Sequence, residues 1–398
     1  MASGPPYDLS SAIDFDYGDT AVSWNKRDTI LYALSIGAHK DDFKVIYGEL
    51  TAKDSWSVIP HLLALSGTDT DVFDFAAKFG GEKKPPGLPT FDPSIDLLTD
   101  LIQVQASQYY ENLAPLPLVS TDGFKVTKKC VGIHEAADGV TFDNEIVLEG
   151  PDGKQYARMI AQAKYLGAKA NGKVFDETKS IGFPPMAPIS SLGKPSWTCV
   201  GPTWPEQSVL YRLNGDYNPL HIDPKVGAAL GYGGLICHGL GMYSITARAI
   251  LEKMSSNDPA NLKSMTALFS GPITPGDDLQ IAIWELGPAP EDSKYTHIAF
   301  EARNPITGKL CLGEGHAYII KTTVRPEANP IASGFPAPQP QIIPANGPKP
   351  EGTVPSWVPR IYGIPVTTLA TVLFFLPAII ANLLFVILSY VFTWWWQW

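Results

Sequence analysis

The fold is decided by two stretches, Leu240-Gly-Met-Tyr-Ser-Ile-Thr-Ala-Arg-Ala-Ile-Leu-Glu-Lys-Met254 and Leu279-Gln-Ile-Ala-Ile-Trp-Glu-Leu286. The first is a predominantly apolar run of helix-like length, so it predicts a helix. The second places Leu279, Ile281 and Ile283 two positions apart, so that one face of a strand is apolar. A long helix followed by a strand is therefore the basic unit of this region.

Further strands follow in both halves of the chain. After the helix at 240–254, strand-like segments lie at 279–286, 295–303 and 309–320, and in the first half a helix-like run at 95–110 precedes segments at 123–134, 140–148 and 154–166. The turn residues Gly123 and Gly153 are 30 positions apart, and their counterparts Gly276 and Gly308 are 32 apart. This repetition predicts an α+β protein built by duplication, in which each antiparallel sheet wraps around one helix. A doubly wound parallel sheet is disfavoured because helices and strands do not alternate.

Proline content divides the chain further. We predict an N-terminal half at 1–178, a linker at 179–195, a second half at 196–322, a proline-rich spacer at 323–360 and an apolar tail at 361–398. Ten prolines in the spacer prevent helix and sheet ladders and favour an extended chain.

The tail predicts a C-terminal transmembrane segment. No charged residue follows Arg360, and the run 366–390 exceeds the ~20 apolar residues that a spanning helix needs. Tryptophans at its end favour a membrane–water interface. The alternatives are a hydrophobic hairpin or an element docked on the rest of the chain. Because the N-terminus shows no secretory signal, we expect anchoring through the C-terminus with the catalytic part in the cytosol.

Composition excludes several classes of protein. With 30 basic and 40 acidic residues the net charge is −10, which argues against a nucleic-acid partner. The four cysteines form no Cys-x-x-Cys pair, which disfavours a zinc ribbon or a disulfide scaffold.

One segment concentrates side chains that could carry chemistry: Tyr211-Arg-Leu-Asn-Gly-Asp-Tyr-Asn-Pro-Leu-His-Ile-Asp-Pro224. Asp216 is predicted on a loop, and His221 just before a short helix that Asp223 caps. A carboxylate and an imidazole that converge could hold a water molecule and exchange its protons. The alternative is that these residues form only turns, since Asp, Asn, Gly and Pro are common turn formers. A metal site is disfavoured because no third ligand is near, and His238 lies seventeen positions after His221.

A second feature is the glycine-rich run from Gly231 to Gly241, which leads into the predicted helix. Free backbone N–H groups at a helix start can stabilise negative charge on a carbonyl oxygen. Glycines can equally serve close packing, so this signal is weaker than the Asp216 segment.

These residues resemble a known family. The segment from Tyr211 to Pro224, with Cys237-His-Gly-Leu240 and Phe269-Ser-Gly-Pro-Ile-Thr-Pro-Gly276, is similar to MaoC-like (R)-specific 2-enoyl-CoA hydratases, in particular to the eukaryotic hydratase 2 type. The similarity runs from about residue 32 to 321 and is strongest from Pro195 onward.

The resemblance implies a double hot-dog fold and hydration of trans-2-enoyl-CoA to (3R)-3-hydroxyacyl-CoA, or the reverse dehydration. Asp216 and His221 would be the acid–base pair, Asn218 would help to position them, and the Gly239 amide would bind the thioester oxygen. The implied substrate-binding residues are Gly239, Phe269, Tyr217, Asn218, Gln105 and Ala106. No cofactor beyond the CoA-linked substrate and no metal are implied; a homodimer and a peroxisomal location are compatible with the resemblance.

The chain also departs from the family pattern. The first half lacks an Asp-x-Asn-x-x-His motif, so we expect it to be non-catalytic and to shape the acyl channel. Gln105-Ala-Ser-Gln108 replaces a His-Gly-Glu-Gln sequence that is usual in the hydratase 2 type. Two alternatives stay open: a dehydratase acting on a polyketide or branched acyl thioester in a specialised biosynthetic route, and a non-catalytic acyl-thioester-binding membrane module.

Overall fold

The structure is a computed structural model that describes residues 9, 11–39, 42, 102–136, 138–166, 168–169, 183 and 187–322, and the backbone of 360–361 and 364–365. The chain forms two compact units, Met1–Asn329 and Pro330–Trp398. The boundary at Asn329 lies inside the predicted spacer at 323–360.

The first unit contains one continuous sheet with ten strands among the described residues. They are β1 (Asp16–Ala21), β2 (Ile102–Asn112), β3 (Lys125–Ala136), β4 (Gly139–Glu149), β5 (Gln155–Leu166), β6 (Trp197–Gly201), β7 (Leu262–Phe269), β8 (Leu279–Pro288), β9 (Thr296–Arg303) and β10 (Leu310–Ile319). Their order across the sheet is β1-β3-β4-β5-β2-β7-β10-β9-β8-β6, and all described pairings are antiparallel.

The two halves of this sheet repeat each other. In each half the strands lie in the order first, third, fourth, fifth, second, and the two second strands, β2 and β7, join the halves edge to edge. The turn residues Gly123 and Gly276, with φ of 93° and 97°, precede β3 and β8. Gly153 and Gly308, with φ of 75° and 68°, lie in the hairpins β4–β5 and β9–β10, where a left-handed backbone favours glycine. The predicted α+β class and the six predicted strands are confirmed.

Four α-helices accompany the sheet in the described residues: α1 (Lys26–Ser35), α2 (Gln207–Arg212), α3 (Pro224–Ala229) and α4 (Gly239–Met254). Short 3₁₀ turns lie at Ile189–Ser191, Pro219–His221 and Pro259–Asn261. Helix α4 packs against β6, β7, β8 and β10, and its apolar side chains share one buried cluster with those of the strands. This helix wrapped by an antiparallel sheet is the hot-dog arrangement, as predicted for the second half.

The helix predicted at 95–110 is wrong. Residues Ile102–Asn112 form strand β2, which pairs with β5 on one side and β7 on the other. The sequence contained the period-two signal, because Ile102, Val104 and Ala106 alternate with polar residues. Residues 95–101 lie outside the described part of the chain.

The second unit is described only at two short strands, Arg360–Ile361 and Ile364–Pro365, which pair antiparallel. The predicted transmembrane run at 366–390 lies outside the described residues, as does most of the spacer. Within the described residues, no helix combines the length and the apolar character needed to cross a membrane.

Candidate active site

The loop between α2 and α3 shapes the predicted acid–base motif. Gly215, with φ of 110°, turns the chain after α2. The Asn218 backbone N–H donates to Asp216 Oδ1 at 3.3 Å, and the Leu220 N–H donates to Asn218 Oδ1 at 3.0 Å. Asn218 therefore caps the 3₁₀ turn Pro219–His221. This single turn brings His221 back toward Asp216, which explains their spacing of five positions.

His221 is buried, with 8% of its surface exposed. Its Nδ1 lies 3.0 Å from the Ile236 carbonyl oxygen, which can only accept a hydrogen bond. Nδ1 therefore carries the proton in the neutral ring, and Nε2 keeps a lone pair. Burial lowers the pKa of His221, while Asp216 and the Ile236 carbonyl partly oppose this shift. The side chain is thus a neutral base at physiological pH.

The structure adds His238 to this pair. Its ring lies against the ring of His221, with centroids 3.9 Å apart and planes inclined by 31°. Its Nε2 donates to the Asp216 carbonyl oxygen at 3.1 Å. Only 1% of His238 is exposed. This burial is the main cause that lowers the pKa of His238 to about 3, and the nearby His221 lowers it further. One possible ligand atom from each of Asp216, His221 and His238 lies within 4.8 Å of the other two.

The third side chain corrects our reason for disfavouring a metal site. We expected no further ligand near His221 and Asp216, but His238 is there. The lone pair of an imidazole lies in the plane of its ring, and the two ring planes are inclined by only 31° with centroids 3.9 Å apart, so the two lone pairs lie in separate, nearly parallel planes. A tetrahedral metal ion requires converging donors. The geometry of this cluster therefore suits proton exchange better than chelation.

Helix α4 begins beside this cluster. The first bond of the helix runs from the Met242 N–H to the His238 carbonyl at 3.0 Å, so the N–H groups of Gly239, Leu240 and Gly241 have no acceptor within the helix. A Cβ placed on Gly239 would lie 3.2 Å from two atoms of the Phe269 ring and 3.8 Å from Gln105 Oε1. Phe269 and Gln105 therefore face the start of α4, where both were predicted to contact substrate.

The orientation of the Gln105 amide follows from a chain of hydrogen bonds. Gln108, which is fully buried, donates through Nε2 to the Tyr109 carbonyl at 2.8 Å. Its Oε1 accepts from Gln105 Nε2 at 3.0 Å. The Oε1 of Gln105 therefore faces Gly239, where it can accept a hydrogen bond. Ala106 is the residue skipped in the pairing of β2 with β5, so it forms the bulge beside Gln105.

The other predicted residue, Tyr217, is 3% exposed, and the Arg212 guanidinium lies 5.9 Å from its ring centre. Asp223 caps α3 by accepting from the Lys225 N–H at 2.8 Å, as predicted.

Helix α1 supports the motif in a way that the sequence did not reveal. The Ser35 carbonyl accepts from Gln207 Nε2 at 2.6 Å, and the Ser35 hydroxyl accepts from Asn214 Nδ2 at 2.7 Å. Tyr32 donates to Ser244 on α4 at 2.8 Å. These buried bonds fix the segment that precedes Asp216. His238 was also missed, although it directly precedes Gly239 in the Cys237-His-Gly-Leu240 sequence.

Fold and site together define a hot-dog protein with a carboxylate and two imidazoles at the start of its central helix. In agreement, residues 179–309 match the family described as MaoC like domain. A solved structure, the MaoC-like dehydratase from Phytophthora capsici, superimposes with a TM-score of 0.63 at 23% identity, covering 80% of this chain and 100% of that one.

Two named relatives extend this similarity. "Probable dehydratase NIT22" from Ajellomyces capsulatus is 34% identical over 286 residues, which are 69% of this chain and 71% of that protein. "Enoyl-CoA hydratase 2, peroxisomal" from Arabidopsis thaliana is 27% identical over 278 residues, covering 67% and 83%. The chain therefore belongs to the MaoC-like dehydratases and is an enzyme of the hydratase/dehydratase class of lyases.

Proposed function

We propose that this enzyme adds water to trans-2-enoyl-CoA thioesters to give (3R)-3-hydroxyacyl-CoA, or catalyses the reverse dehydration. The observation that carries the proposal is the convergence of Asp216 and His221 beside the start of α4, with ligand atoms within 4.8 Å. The family relationship and the name of the Arabidopsis relative support the substrate class.

In the proposed hydration, Asp216 and His221 hold one water molecule between them. The lone pair on His221 Nε2 draws a proton from the water as its oxygen bonds to C3 of the substrate. The electrons of the C2–C3 double bond move toward the thioester, and the pair delivers one proton to C2. The sum is the addition of one water molecule, with the pair returned to its starting state.

The start of α4 would stabilise the charge that develops during this step. Negative charge accumulates on the thioester oxygen, and the N–H of Gly239, which has no acceptor within the helix, can bind it. The positive end of the helix dipole adds to this effect. Phe269 would then flank the thioester, and Asn218 would keep the loop in shape.

The (R) configuration belongs to the same proposal. Asp216 and His221 come from one short segment, so they would reach the double bond from one side only. Delivery of water to one face of C3 gives one configuration of the product, and the resemblance to (R)-specific hydratases indicates which one.

We further propose a double hot-dog fold in which the first half shapes the acyl channel. The repeated strand order supports this duplication. Strand β2 of the first half brings Gln105 to the start of α4 in the second half.

A second candidate function is favoured by Gln105 itself. Its Oε1 is an acceptor that faces the site, and a straight-chain acyl group offers no donor for it. A specialised dehydratase acting on a polyketide or branched acyl thioester with a hydroxyl group near the double bond would satisfy this acceptor. Comparing crotonyl- and decenoyl-thioesters with hydroxylated analogues separates the two functions.

Location and assembly are also proposals. The name of the Arabidopsis relative supports a peroxisome. The uncharged tail after Arg360 supports a membrane anchor, and we propose that the catalytic part faces the cytosol. The substrate is carried as a CoA thioester, with no further cofactor, and a homodimer is the assembly we would test first.

The decisive experiment incubates the purified full chain with a panel of enoyl- and 3-hydroxyacyl-thioesters and determines the configuration of the product. Asp216→Asn and His221→Gln should each abolish turnover without unfolding the protein. Asp223→Asn is the matched control, because it makes the same change in the same motif and asparagine also caps helices. Retention of a tenth or more of the wild-type rate by either site variant would refute the acid–base assignment.

A further inference from the structure

We propose that His238 is a positioning residue, which fixes the Asp216 backbone and the His221 ring in their reactive arrangement. The inference rests on the proposed function, because it assigns a task to a third side chain of the same site. Three observations carry it: the contact of His238 with Asp216, its contact with His221, and its position at the start of α4.

The first contact fixes Asp216. His238 Nε2 donates to the Asp216 carbonyl oxygen at 3.1 Å across 22 positions of sequence. The same loop is also held at Asn214, which donates to the Ser35 hydroxyl, and at His221, whose ring binds the Ile236 carbonyl. Since His238 is 1% exposed, the donor end of this bond is shielded from water. The peptide that carries the proposed catalytic carboxylate is thereby tied to the start of α4.

The second contact fixes His221. The ring of His238 contacts those of both His221 and Tyr211, with centroid distances of 3.9 and 4.9 Å. Tyr211 is itself buried, and a Cβ on Gly241 would lie 3.3 Å from its ring, so the stack is supported from behind by α4. His221 is also held by its bond to Ile236, which leaves its ring little freedom to turn.

The third observation is the position of His238 as the N-cap of α4. Ser, Thr, Asp and Asn are the usual residues there, because their side chains accept from the first helical N–H groups. The His238 side chain makes no such bond. It points instead to the Asp216 loop, so the helix start gives up a stabilising cap for a link to the site. This is the kind of local conflict expected at functional positions.

The protonation state of His238 fits this task. Burial and the neighbouring His221 lower its pKa to about 3, so the ring stays neutral. Because Nε2 carries the proton, Nδ1 has a lone pair, and it is buried without a hydrogen-bond partner in the described structure. A neutral ring face can lie against His221 in both of its protonation states, whereas a charged ring would repel the protonated form.

Two substitutions separate the N–H bond from the ring. His238→Phe keeps a ring in contact with Tyr211 and His221 but cannot donate to the Asp216 carbonyl. His238→Gln keeps an amide N–H at nearly the position of Nε2 but removes the ring. His316→Phe is the matched control, since His316 is also a buried histidine, at 7% exposure, on a strand of the same half.

For the full chain, we expect His238→Phe to lower kcat roughly tenfold to a hundredfold, with KM changed less than threefold, because small displacements of reacting groups act on the chemical step. His238→Gln should restore at least half of the decrease in log kcat. His316→Phe should leave kcat and KM near the wild-type values. A His238→Phe variant with kcat within twofold of wild type would overturn the proposal. So would a glutamine variant no better than the phenylalanine variant.

A second measurement is independent of turnover. Crystal structures of wild type and both His238 variants report the separation of the Asp216 carboxylate from His221 Nε2. We expect it to lengthen in His238→Phe and to return in His238→Gln; an unchanged separation in His238→Phe would overturn the positioning role. If wild type hydrates no thioester of the panel, the proposed function fails, and this structural comparison still decides whether His238 positions the pair.

Discussion

Replacement of Gly239 by alanine tests the proposed oxyanion site most directly. The new methyl group would lie 3.2 Å from Phe269 Cδ1 and Cε1 and 3.8 Å from Gln105 Oε1. It would therefore fill the space in which the thioester oxygen must approach the Gly239 N–H. The backbone N–H remains, so the change blocks access to the donor without deleting it.

The effects on stability and activity should differ in size. Two contacts at 3.2 Å require the Phe269 ring to move by a few tenths of an ångström, at a cost of about 1 kcal/mol. The higher helix propensity of alanine offsets up to about 1 kcal/mol of this. Loss of one oxyanion donor typically costs about 10²–10³ in kcat. We therefore expect a nearly unchanged free energy of unfolding and a loss of activity of at least a hundredfold.

The assay combines urea unfolding with kcat and KM for the best thioester of the panel. Gly234→Ala is the matched control, because it makes the same change in the same glycine-rich run, where a new Cβ would meet no atom within 4 Å. Gly239→Ala with kcat within fivefold of wild type would refute the reasoning. A variant that loses several kcal/mol of stability would show that the contact with Phe269 had been misjudged.

Three further predictions follow from the described residues. First, His238 and His316 have pKa values lowered to about 3 and about 4, so between pH 6.5 and these values the unfolded chain binds protons that the folded one does not. The free energy of unfolding should fall by about 1.4 kcal/mol per pH unit for each histidine below pH 6.5, and urea unfolding at pH 7, 6 and 5 should show a shallower slope for His316→Phe. Second, Gln105→Met removes the acceptor at the site, so the ratio of kcat/KM for straight-chain over hydroxylated thioesters should rise roughly tenfold, the worth of one hydrogen bond; an unchanged ratio would remove Gln105 from substrate selection. Third, a chain ending after Arg360 should stay active and should no longer float with membranes in a density gradient; an inactive or aggregated product would place the tail within the fold.

The strands were predictable from the sequence because their signals are local. Alternation of apolar residues marks β8, and the paired turn glycines Gly153 and Gly308 mark equivalent hairpins in the two halves. Strand β2 was misread, although the alternation is present at its start. Tyr109 and Tyr110 are adjacent and both buried: Tyr110 belongs to the main apolar cluster, and the Tyr109 ring packs against Phe183. Such a strand loses the contrast between its faces, and its apolar residues then resemble part of a helix.

The candidate site was only partly predictable. The turn that joins Asp216 to His221 is encoded within a few residues, and Gly239 was placed by the resemblance to the family. The stacking of His238 on His221 and the approach of Gln105 to Gly239 depend on contacts between distant segments. The spacing of residues along the sequence does not indicate which distant segments contact each other. For the same reason the sequence wrongly predicted that no third possible metal ligand lies near Asp216 and His221.

The pairing of β2 with β7 has a consequence for how enzymes of this shape can diverge. The proposed acid–base groups and the helix start come from the second half of the repeated strand order, while Gln105 and its neighbours come from the first. On the proposed assignment, mutations in the first half would change which acyl groups are accepted, while the reaction itself would stay intact. Exchange of strand β2 between relatives should transplant acyl preference without rebuilding the chemistry, which makes this seam the natural starting point for engineering new selectivity.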